Sequence, residues 1–159
     1  MPEEVIYLAA PISTEGDKMY VEYLAKELRN IGYAVYSPIE DESINNKSNN
    51  PKAEDIFDND NEGIDKSDIF LVVETGREQV GTHTELGGEL ALIRKGLSDR
   101  ELISFTNNFR LNEPQIQNGI PSASANHYAL GGVWKHGTFV EGMTEGLLEY
   151  MRDRGEADE

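Results

Sequence analysis

The sequence predicts an α/β fold in which helices cover both faces of a parallel sheet. Short, almost uninterrupted apolar runs alternate along the chain with segments that carry apolar residues at helical spacing. Apolar runs of this kind are typical of strands that are buried on both faces, as they are in parallel sheets. At 159 residues, the chain is long enough for a single domain with a substantial core.

We predict five strands. The first four are apolar runs that give way to proline, glycine or polar residues, and the fifth lies in a glycine-flanked stretch with valine and tryptophan. In chain order, the predicted strands are 5–10, 33–36, 69–73, 102–106 and 132–136.

Four helices are predicted between and after these strands, because apolar residues recur there every three or four positions. They cover residues 17–31, 52–66, 82–94 and 138–151. The polar segments 40–51 and 107–124 are predicted loops. Residues 1–151 would then form one domain, and the charged tail 152–159 is expected to be disordered.

The composition is strongly acidic, with 30 Asp plus Glu residues against 14 Lys plus Arg. This balance argues against a nucleic acid polymer or an anionic membrane as partner, because both need clustered basic residues. No apolar run is long enough to span a membrane, and no secretory signal is visible. The chain has no cysteine, which excludes disulfides and thiol catalysis. We therefore expect a cytoplasmic protein that binds small neutral or cationic molecules.

Glu85 is the first candidate functional residue, because it lies just beyond the apolar run 69–73. Ligands of open α/β sheets bind outside the carboxyl ends of the strands. One interpretation is structural: Thr82 would cap a helix and Glu85 would complete the capping box. The other interpretation is functional: Glu85 would be a nucleophile or base that the helix N-terminus keeps ionised.

Asp60 is the second candidate, because it shares a helix face with Ile56 and Ile64. A carboxylate within an apolar stripe is either solvated on a frayed helix or directed into a pocket. Tyr7 lies inside the first strand, where a buried phenol needs a polar partner that a carboxylate could supply. Asp68 precedes the third strand and is interpreted as a loop residue or a cap at the strand start.

Several kinds of site lack their motifs in this sequence. The three histidines form no metal-binding pattern, so a bound metal is not expected. Neither a dinucleotide-binding glycine motif nor a P-loop is present. The nucleophile elbow of serine hydrolases is also missing.

Three segments and one late asparagine follow one another in a characteristic order. Residues 6–11 read IYLAAP, residues 59–68 fit N-D-x-x-G-I-x-x-x-D, and residues 81–87 read GTHTELG. Asn126 then precedes the pair Gly132-Val133. Together these motifs resemble those of the nucleoside 2-deoxyribosyltransferase family over residues 5–135.

The resemblance implies a doubly wound fold, flavodoxin-like or Rossmann-like, with a five-stranded parallel sheet and no cofactor. It also implies a transfer of 2-deoxyribose between nucleobases, as in nucleotide salvage, with nucleosides and free bases as partners. Homo-oligomers (dimers, tetramers or hexamers) in which neighbouring subunits share active sites are expected.

By resemblance, Glu85 is the nucleophile that holds the sugar covalently, Tyr7 orients it, and Asp60 contacts the substrate. Pro11, Gly81 and Gln79 would border the substrate. Asn126 would contact the sugar bound to a neighbouring subunit. The functional residues expected from the resemblance fall into two types: catalytic Glu85, Tyr7 and Asp60, and substrate-binding Gln79, Asn126, Pro11 and Gly81.

Gln79 departs from the family pattern, because many members carry an aspartate six residues before the nucleophile. That aspartate is thought to help protonate the leaving base, and a glutamine has no acidic proton to give. Two alternatives to transfer therefore stay open. One is an N-glycosidase that hydrolyses nucleosides or nucleoside 5'-monophosphates, and the other is a non-catalytic domain that binds or senses nucleosides.

Overall fold

The computed structural model describes residues 3–41, 48, 50–76, 78–112, 116–117, 120–121 and 126–157. Strands and helices alternate along most of this chain. In order they are β1 (Val5–Ala9), α1 (Glu15–Ile31), β2 (Ala34–Tyr36), α2 (Ala53–Asp65), β3 (Ile69–Glu74), α3 (Val80–Arg94), β4 (Glu101–Thr106), α4 (Phe109–Asn112), β5 (Ile116–Gln117), β6 (Ile120–Pro121), α5 (His127–His136), β7 (Thr138–Val140) and α6 (Met143–Ala157). A 3-10 turn, Pro38–Glu40, follows β2.

The main sheet has five strands in the order β2-β1-β3-β4-β7, and every neighbouring pair is parallel. This order is that of a flavodoxin-like, doubly wound sheet, whose ligands bind where the strand order reverses. The predicted fold class is therefore confirmed. β5 and β6 form a separate antiparallel pair.

Two apolar cores cover the two faces of the sheet. On one face, α1 and α6 pack over β1, β3 and β4. On the other face, α2, α3 and α5 pack over alternate residues of the same strands. β3 lies in the middle, and all six of its residues are buried, which explains its uninterrupted apolar sequence.

The strand register aligns three aromatic residues on the face that α2 and α3 cover. Tyr7 of β1 pairs with Tyr36 of β2 and Phe70 of β3. The Tyr7 ring stacks on both neighbours, with ring centroids 5.5 and 5.4 Å apart. Asp68 holds the start of this register by accepting a hydrogen bond from the Val5 N–H at 2.9 Å. Asp68 thus caps the start of β1, rather than the start of β3 that follows it in sequence.

The predicted fifth strand at 132–136 is wrong. Those residues belong to α5, and the fifth strand of the sheet is β7, which follows immediately. The Asn126 side chain caps α5 by accepting a hydrogen bond from the Ala129 N–H at 3.1 Å. Gly132 lies against Leu90 of α3, where a Cβ would come within 2.4 Å of Leu90 Cδ1. Gly132, the first residue of the predicted strand, instead allows α5 to pack closely against α3.

The last helix also differs from its prediction. It begins at Met143, after β7, and continues through Ala157. The boundary predicted at residue 151 therefore falls inside α6, and residues 158–159 lie outside the described part of the chain. In the predicted loop 40–51, residues 42–47 and 49 also lie outside it. The predicted loop 107–124 contains α4, β5 and β6.

Among the helices that the structure describes, none combines the length and the apolar character needed to cross a membrane.

Candidate active site

Glu85 lies in the second turn of α3 and borders a cleft at the carboxyl end of the sheet. The predicted capping box is wrong, because α3 begins at Val80 and Gln79 occupies the cap position. Thr82 is a buried residue inside the first turn. Capping therefore does not account for Glu85.

The charge state of Glu85 is set mainly by burial. Desolvation raises the pKa of the Glu85 carboxyl to about 7, and the nearby charge of Asp60 acts in the same direction. The expectation that the helix N-terminus keeps Glu85 ionised is wrong, because the helix dipole acts mainly within the first turn. Glu85 is thus a carboxylate with raised basicity.

The Tyr7 hydroxyl faces the Glu85 carboxylate from the centre of the aromatic stack. The Tyr7 side chain is fully buried, and its hydroxyl makes no hydrogen bond of standard geometry to a described residue. Its interaction with Glu85 nevertheless lowers the pKa of that carboxyl, against the effect of burial. Burial and the charges of Glu85 and Asp60 raise the pKa of Tyr7 well above its usual value. Tyr7 therefore stays a neutral phenol that can donate a hydrogen bond.

Asp60 is half-buried on the face of α2 that carries Ile56 and Ile64. Its Oδ1 atom is buried and has no hydrogen-bond partner among the described residues. Burial, followed by the charge of Asp41, raises the pKa of Asp60 to about 6. The charge of Asp60 in turn raises the pKa of both Tyr7 and Glu85, which places all three groups in one electrostatic cluster. Asp60 is not among the residues that line either cleft described below, but its half-buried carboxyl is not the solvated group of a frayed helix.

The cleft beside Glu85 has a volume of about 430 Å³. The loop after β1 forms one wall and the start of α3 forms the other. It is lined by Ala10, Pro11, Ile12, Ser13, Glu78, Gln79, Val80, Gly81, Thr82 and Glu85. The structure thus brings Pro11, Gln79 and Gly81 to the same cleft as Glu85, and the volume is in the range of small-molecule sites.

Gln79 is 5% exposed, and its amide group is largely engaged by Val73 at the end of β3 and by Thr75 just after it. The amide oxygen accepts hydrogen bonds from the Thr75 N–H and the Thr75 hydroxyl at 2.9 and 2.8 Å. The amide nitrogen donates to the Val73 carbonyl at 2.9 Å. Gln79 lines the cleft, but these bonds give it a loop-holding role and leave only one amide hydrogen for a ligand.

Asn126 does not share the cleft of Glu85 within one chain. It is exposed at the start of α5 and lines a second cleft of about 780 Å³ between α3 and α5. A buried Glu74 carboxylate also lines this second cleft and pairs with His83 at 2.8 Å. The two clefts meet at Glu78, Gln79 and Val80.

Tyr36 and Asp41 belong to this site but were not predicted from the sequence. The Tyr36 hydroxyl donates a hydrogen bond to Asp41 Oδ2 at 3.0 Å, and Asp41 acts electrostatically on Asp60. Tyr36 could have been found from its pairing with Tyr7 in a parallel register. Asp41 lies in a polar segment with no pattern that would single it out. In the described part of the chain, no group of three or more His, Asp and Glu side chains is placed to hold a metal ion.

Comparisons with known proteins identify a family for this chain. The family model described as nucleoside 2-deoxyribosyltransferase matches residues 6–120. No curated protein sequence matches the chain.

Several solved structures resemble the chain, and three of them are described here. A conserved protein from Enterococcus faecalis V583 is 24% identical with a TM-score of 0.72, and the match covers 96% of this chain and 99% of that one. A 2-deoxyribosyltransferase from Bacillus psychrosaccharolyticus is 26% identical with a TM-score of 0.55, covering 72% and 77%. A CMP N-glycosidase from Clostridium botulinum is 16% identical with a TM-score of 0.58, covering 93% and 97%.

The first and third of these similarities show the fold alone, because their identities are low. The family model spans most of the chain and includes Tyr7, Asp60 and Glu85. The chain therefore belongs to the nucleoside 2-deoxyribosyltransferase family.

Proposed function

We propose that this protein transfers 2-deoxyribose from one nucleobase to another through a glycosyl ester on Glu85. The observation that carries the proposal is the placement of Glu85, a carboxyl of raised pKa, in a small cleft beside the neutral phenol of Tyr7. Its position at the carboxyl end of a parallel sheet is where ligands of this fold class bind.

The transfer consists of two displacements at the anomeric carbon. In the first, a Glu85 oxygen forms a bond to the anomeric carbon while the bond to the base nitrogen breaks and the base leaves with that electron pair. In the second, a nitrogen of the acceptor base attacks the same carbon and releases Glu85 as a carboxylate. Splitting a displacement through a carboxylate ester is established nucleophilic catalysis. A pKa of about 7 leaves a large ionised fraction at neutral pH and makes the carboxylate more basic than a solvated one.

The decisive assay incubates the folded protein with a 2'-deoxynucleoside and a second free base. A new deoxynucleoside of the acceptor base is expected, and its formation should require both partners. If a folded, monodisperse sample forms none over a range of purine and pyrimidine pairs, transfer is not its activity.

We propose in addition that Asn126 contacts the sugar in the site of a neighbouring subunit. Its exposed position, away from the Glu85 cleft of its own chain, supports this arrangement. Subunit mixing tests it: refolding Glu85→Gln together with Asn126→Ala should create sites that hold both native residues. Recovery of activity in the mixture is expected, whereas a site built within one chain would show none.

The second candidate function is hydrolysis of a nucleoside by the same cleft. Two observations support this alternative, namely the fold similarity to a CMP N-glycosidase and the presence of glutamine at position 79. A 5'-phosphate is disfavoured, because Ser13, which lines the cleft, already donates a hydrogen bond to the Asp17 carboxylate, and the neighbouring Thr14 hydroxyl accepts one from the Asp17 N–H. Release of free base at one rate with and without an acceptor base would favour hydrolysis over transfer.

A further inference from the structure

The structure buries a carboxylate that the proposed transfer does not use. Glu74 is the last residue of β3 and the one charged residue of that strand, and it is 2% exposed. Its Oε1 atom has no hydrogen-bond partner among the described residues. Burying a carboxylate is costly unless it is paired, so an unsatisfied oxygen of this kind requires an explanation. Because Glu74 lines the cleft of about 780 Å³ between α3 and α5, a ligand in that cleft would supply one.

His83 of α3 connects the Glu74 carboxylate to this cleft. Nε2 of His83 lies 2.8 Å from Glu74 Oε2. The His83 side chain is 23% exposed, against 3% for Glu74, so the imidazole is the part of the pair that a ligand can reach. Because a carboxylate oxygen accepts, the ring hydrogen lies on Nε2, and Nδ1 is left as an acceptor with no partner among the described residues. A carboxylate bonded to one ring nitrogen also makes the other more basic.

The charges around the cleft favour a cation. Among the described residues that line it there is neither lysine nor arginine, and Glu78 adds a second carboxylate to that of Glu74. When the His83 ring carries one hydrogen, its pair with Glu74 has one net negative charge. The whole chain has a formal net charge of -16 at pH 7. Such a site repels phosphates and carboxylates and attracts positively charged molecules.

The walls of the cleft suit an organic cation better than a metal ion. Leu86 and Leu90 of α3 and Ala129 of α5 supply apolar surface. Tyr128 is 76% exposed, lines the same cleft and supplies an aromatic ring for a cation. A metal ion needs several protein ligands, and the described residues contain no group of three or more His, Asp and Glu side chains that could hold one.

We propose that the cleft between α3 and α5 is a second ligand site, which binds a small organic cation through a hydrogen bond from its ammonium or amidinium group to Nδ1 of His83. Glu74 is a positioning residue, because its bond to Nε2 fixes the ring and its charge offsets that of the ligand. The apolar part of the ligand would lie against Leu86, Leu90 and Tyr128.

This site differs from the cleft of Glu85, because different residues of α3 line the two clefts. Gly81 and Glu85 line the cleft of the proposed transfer, whereas His83 and Gly87 line the other. Binding of the cation therefore does not depend on the proposed function, and it is measured without any transfer assay.

Isothermal titration calorimetry of the native protein at pH 8 tests the choice of ligand. The probes are benzylamine and benzamidine, which are cationic, and benzyl alcohol is the neutral control of similar shape. About 0.3 M NaCl screens the attraction of cations to exposed carboxylates. The better cationic probe should bind about 10-fold or more tightly than benzyl alcohol, the scale of one hydrogen bond to a charged group. If neither cation binds more tightly than the alcohol, the proposal is wrong.

Three variants locate the bound cation. Glu74→Gln, which keeps the shape of the side chain and removes its charge, should weaken binding of the better cationic probe about 10-fold or more. Glu145→Gln removes the same charge from an exposed position on α6 and should leave the affinity unchanged. Glu85→Gln should also leave it unchanged. Native affinity in Glu74→Gln, or loss of binding in Glu85→Gln, would place the cation elsewhere and overturn the proposal.

Ring nitrogen NMR of the native protein tests the contact with His83 even where a variant fails to fold. The better cationic probe should shift the Nδ1 resonance of His83, the nitrogen that receives the proposed hydrogen bond. His127 and His136 line neither cleft and serve as internal controls that should not move. An unchanged His83, or equal shifts of all three histidines, would refute the proposed contact.

Discussion

The Tyr7 hydroxyl of β1 faces the Glu85 carboxyl of α3, and its effect on the pKa of that carboxyl is opposite to the effect of burial. Burial of Glu85 favours the protonated acid, while the phenol of Tyr7 favours the carboxylate. The result is a pKa of about 7, which lets Glu85 be ionised at neutral pH without the weak basicity of a solvated carboxylate. Substitutions at either residue should therefore change the ionisation of the site in a predictable direction.

Tyr7→Phe should raise the pKa of Glu85 further, because it removes the group that favours the carboxylate. The acidic limb of kcat/KM should therefore move to higher pH, and the maximum rate should fall. The ring keeps its stacking on Tyr36 and Phe70, so folding is expected to survive. A pH series of initial transfer rates measures the shift. If the acidic limb does not move, Tyr7 does not influence the pKa of Glu85.

Glu85→Gln should leave the fold intact and remove nearly all turnover, because a neutral amide cannot form the glycosyl ester. Glu85→Ala should be equally inactive. A mechanism-based 2-fluoro deoxynucleoside should label the native protein covalently, and peptide mass analysis should locate the sugar on Glu85. A Glu85→Gln variant with native turnover would end the proposed mechanism.

Glu85→Gln should also change stability in a way that depends on pH. The pKa of Glu85 is raised on folding from its usual value of 4.5 to about 7, so the native state binds this proton more tightly than the unfolded state. Stability from this group is thus fully present below about pH 4.5 and is lost as the pH rises to about 7. Converted to free energy, the shift means that ionised Glu85 lowers the free energy of unfolding above pH 7 by at most about 3 kcal/mol.

Glu85→Gln should accordingly unfold at a higher temperature than the native protein at pH 8 and at a similar temperature at pH 4. Thermal unfolding of both proteins at the two pH values measures the difference. The exposed Glu145 of α6 offers the matched control as Glu145→Gln, which should show no such pH dependence. A Glu85→Gln protein less stable than the native one at pH 8 would contradict the burial argument.

The sequence predicted the sheet well because its central strands are buried on both faces. The run at 69–73 is apolar throughout, and the structure buries every residue of β3. The start of α3 was harder to predict from the sequence, because Val80 and Gly81, with which the helix begins, are poor helix formers. Hydrogen bonds of Gln79 to Thr75 and Val73 shape the preceding loop, and no local pattern reveals them. Similarly, Gly132 was misinterpreted as part of a strand because its packing against α3 is not a local property of the sequence.

The candidate site was predictable where a polar residue interrupts an apolar pattern. Tyr7 in a strand and Asp60 on an apolar helix stripe both stand out in this way, and both act electrostatically on Glu85. The ionisation of Glu85 was predicted with the wrong sign, because burial depends on how α3 packs against β1. Tyr36 and Asp41 were missed because their roles depend on strand register and on a turn.

Gln79→Ala and Gln79→Asp should both destabilise the protein by about 2–3 kcal/mol, because each loses buried hydrogen bonds to Thr75 and Val73. Aspartate is one methylene shorter and has no N–H for the Val73 carbonyl. Introducing the family's usual aspartate should therefore not improve transfer. Urea unfolding measures the loss, with the exposed neighbour substitution Glu78→Ala as the control expected within about 0.5 kcal/mol. A faster and equally stable Gln79→Asp enzyme would contradict this role.

Arg100→Ala should lower the free energy of unfolding, because Arg100 neutralises the buried Glu89 carboxylate of α3. Neither residue lines the cleft of Glu85. The two side chains are 11% and 1% exposed, and their charged atoms are 2.7 Å apart. Arg100 also donates to the Ser67 carbonyl, and Ser98 donates to the second Glu89 oxygen. Removing the cation leaves a buried carboxylate that keeps only the serine, which typically costs about 3–5 kcal/mol.

Urea unfolding of Arg100→Ala at neutral pH measures this cost, and the exposed Arg94→Ala, at the end of the same helix as Glu89, is the matched control. Arg94→Ala should change the free energy of unfolding by less than about 0.5 kcal/mol. Replacing both partners, as Glu89→Leu with Arg100→Met, should recover most of the loss, because an apolar pair leaves no buried charge behind. If Arg100→Ala unfolds like Arg94→Ala, the Glu89 charge is not buried in solution and the pair does not stabilise the fold.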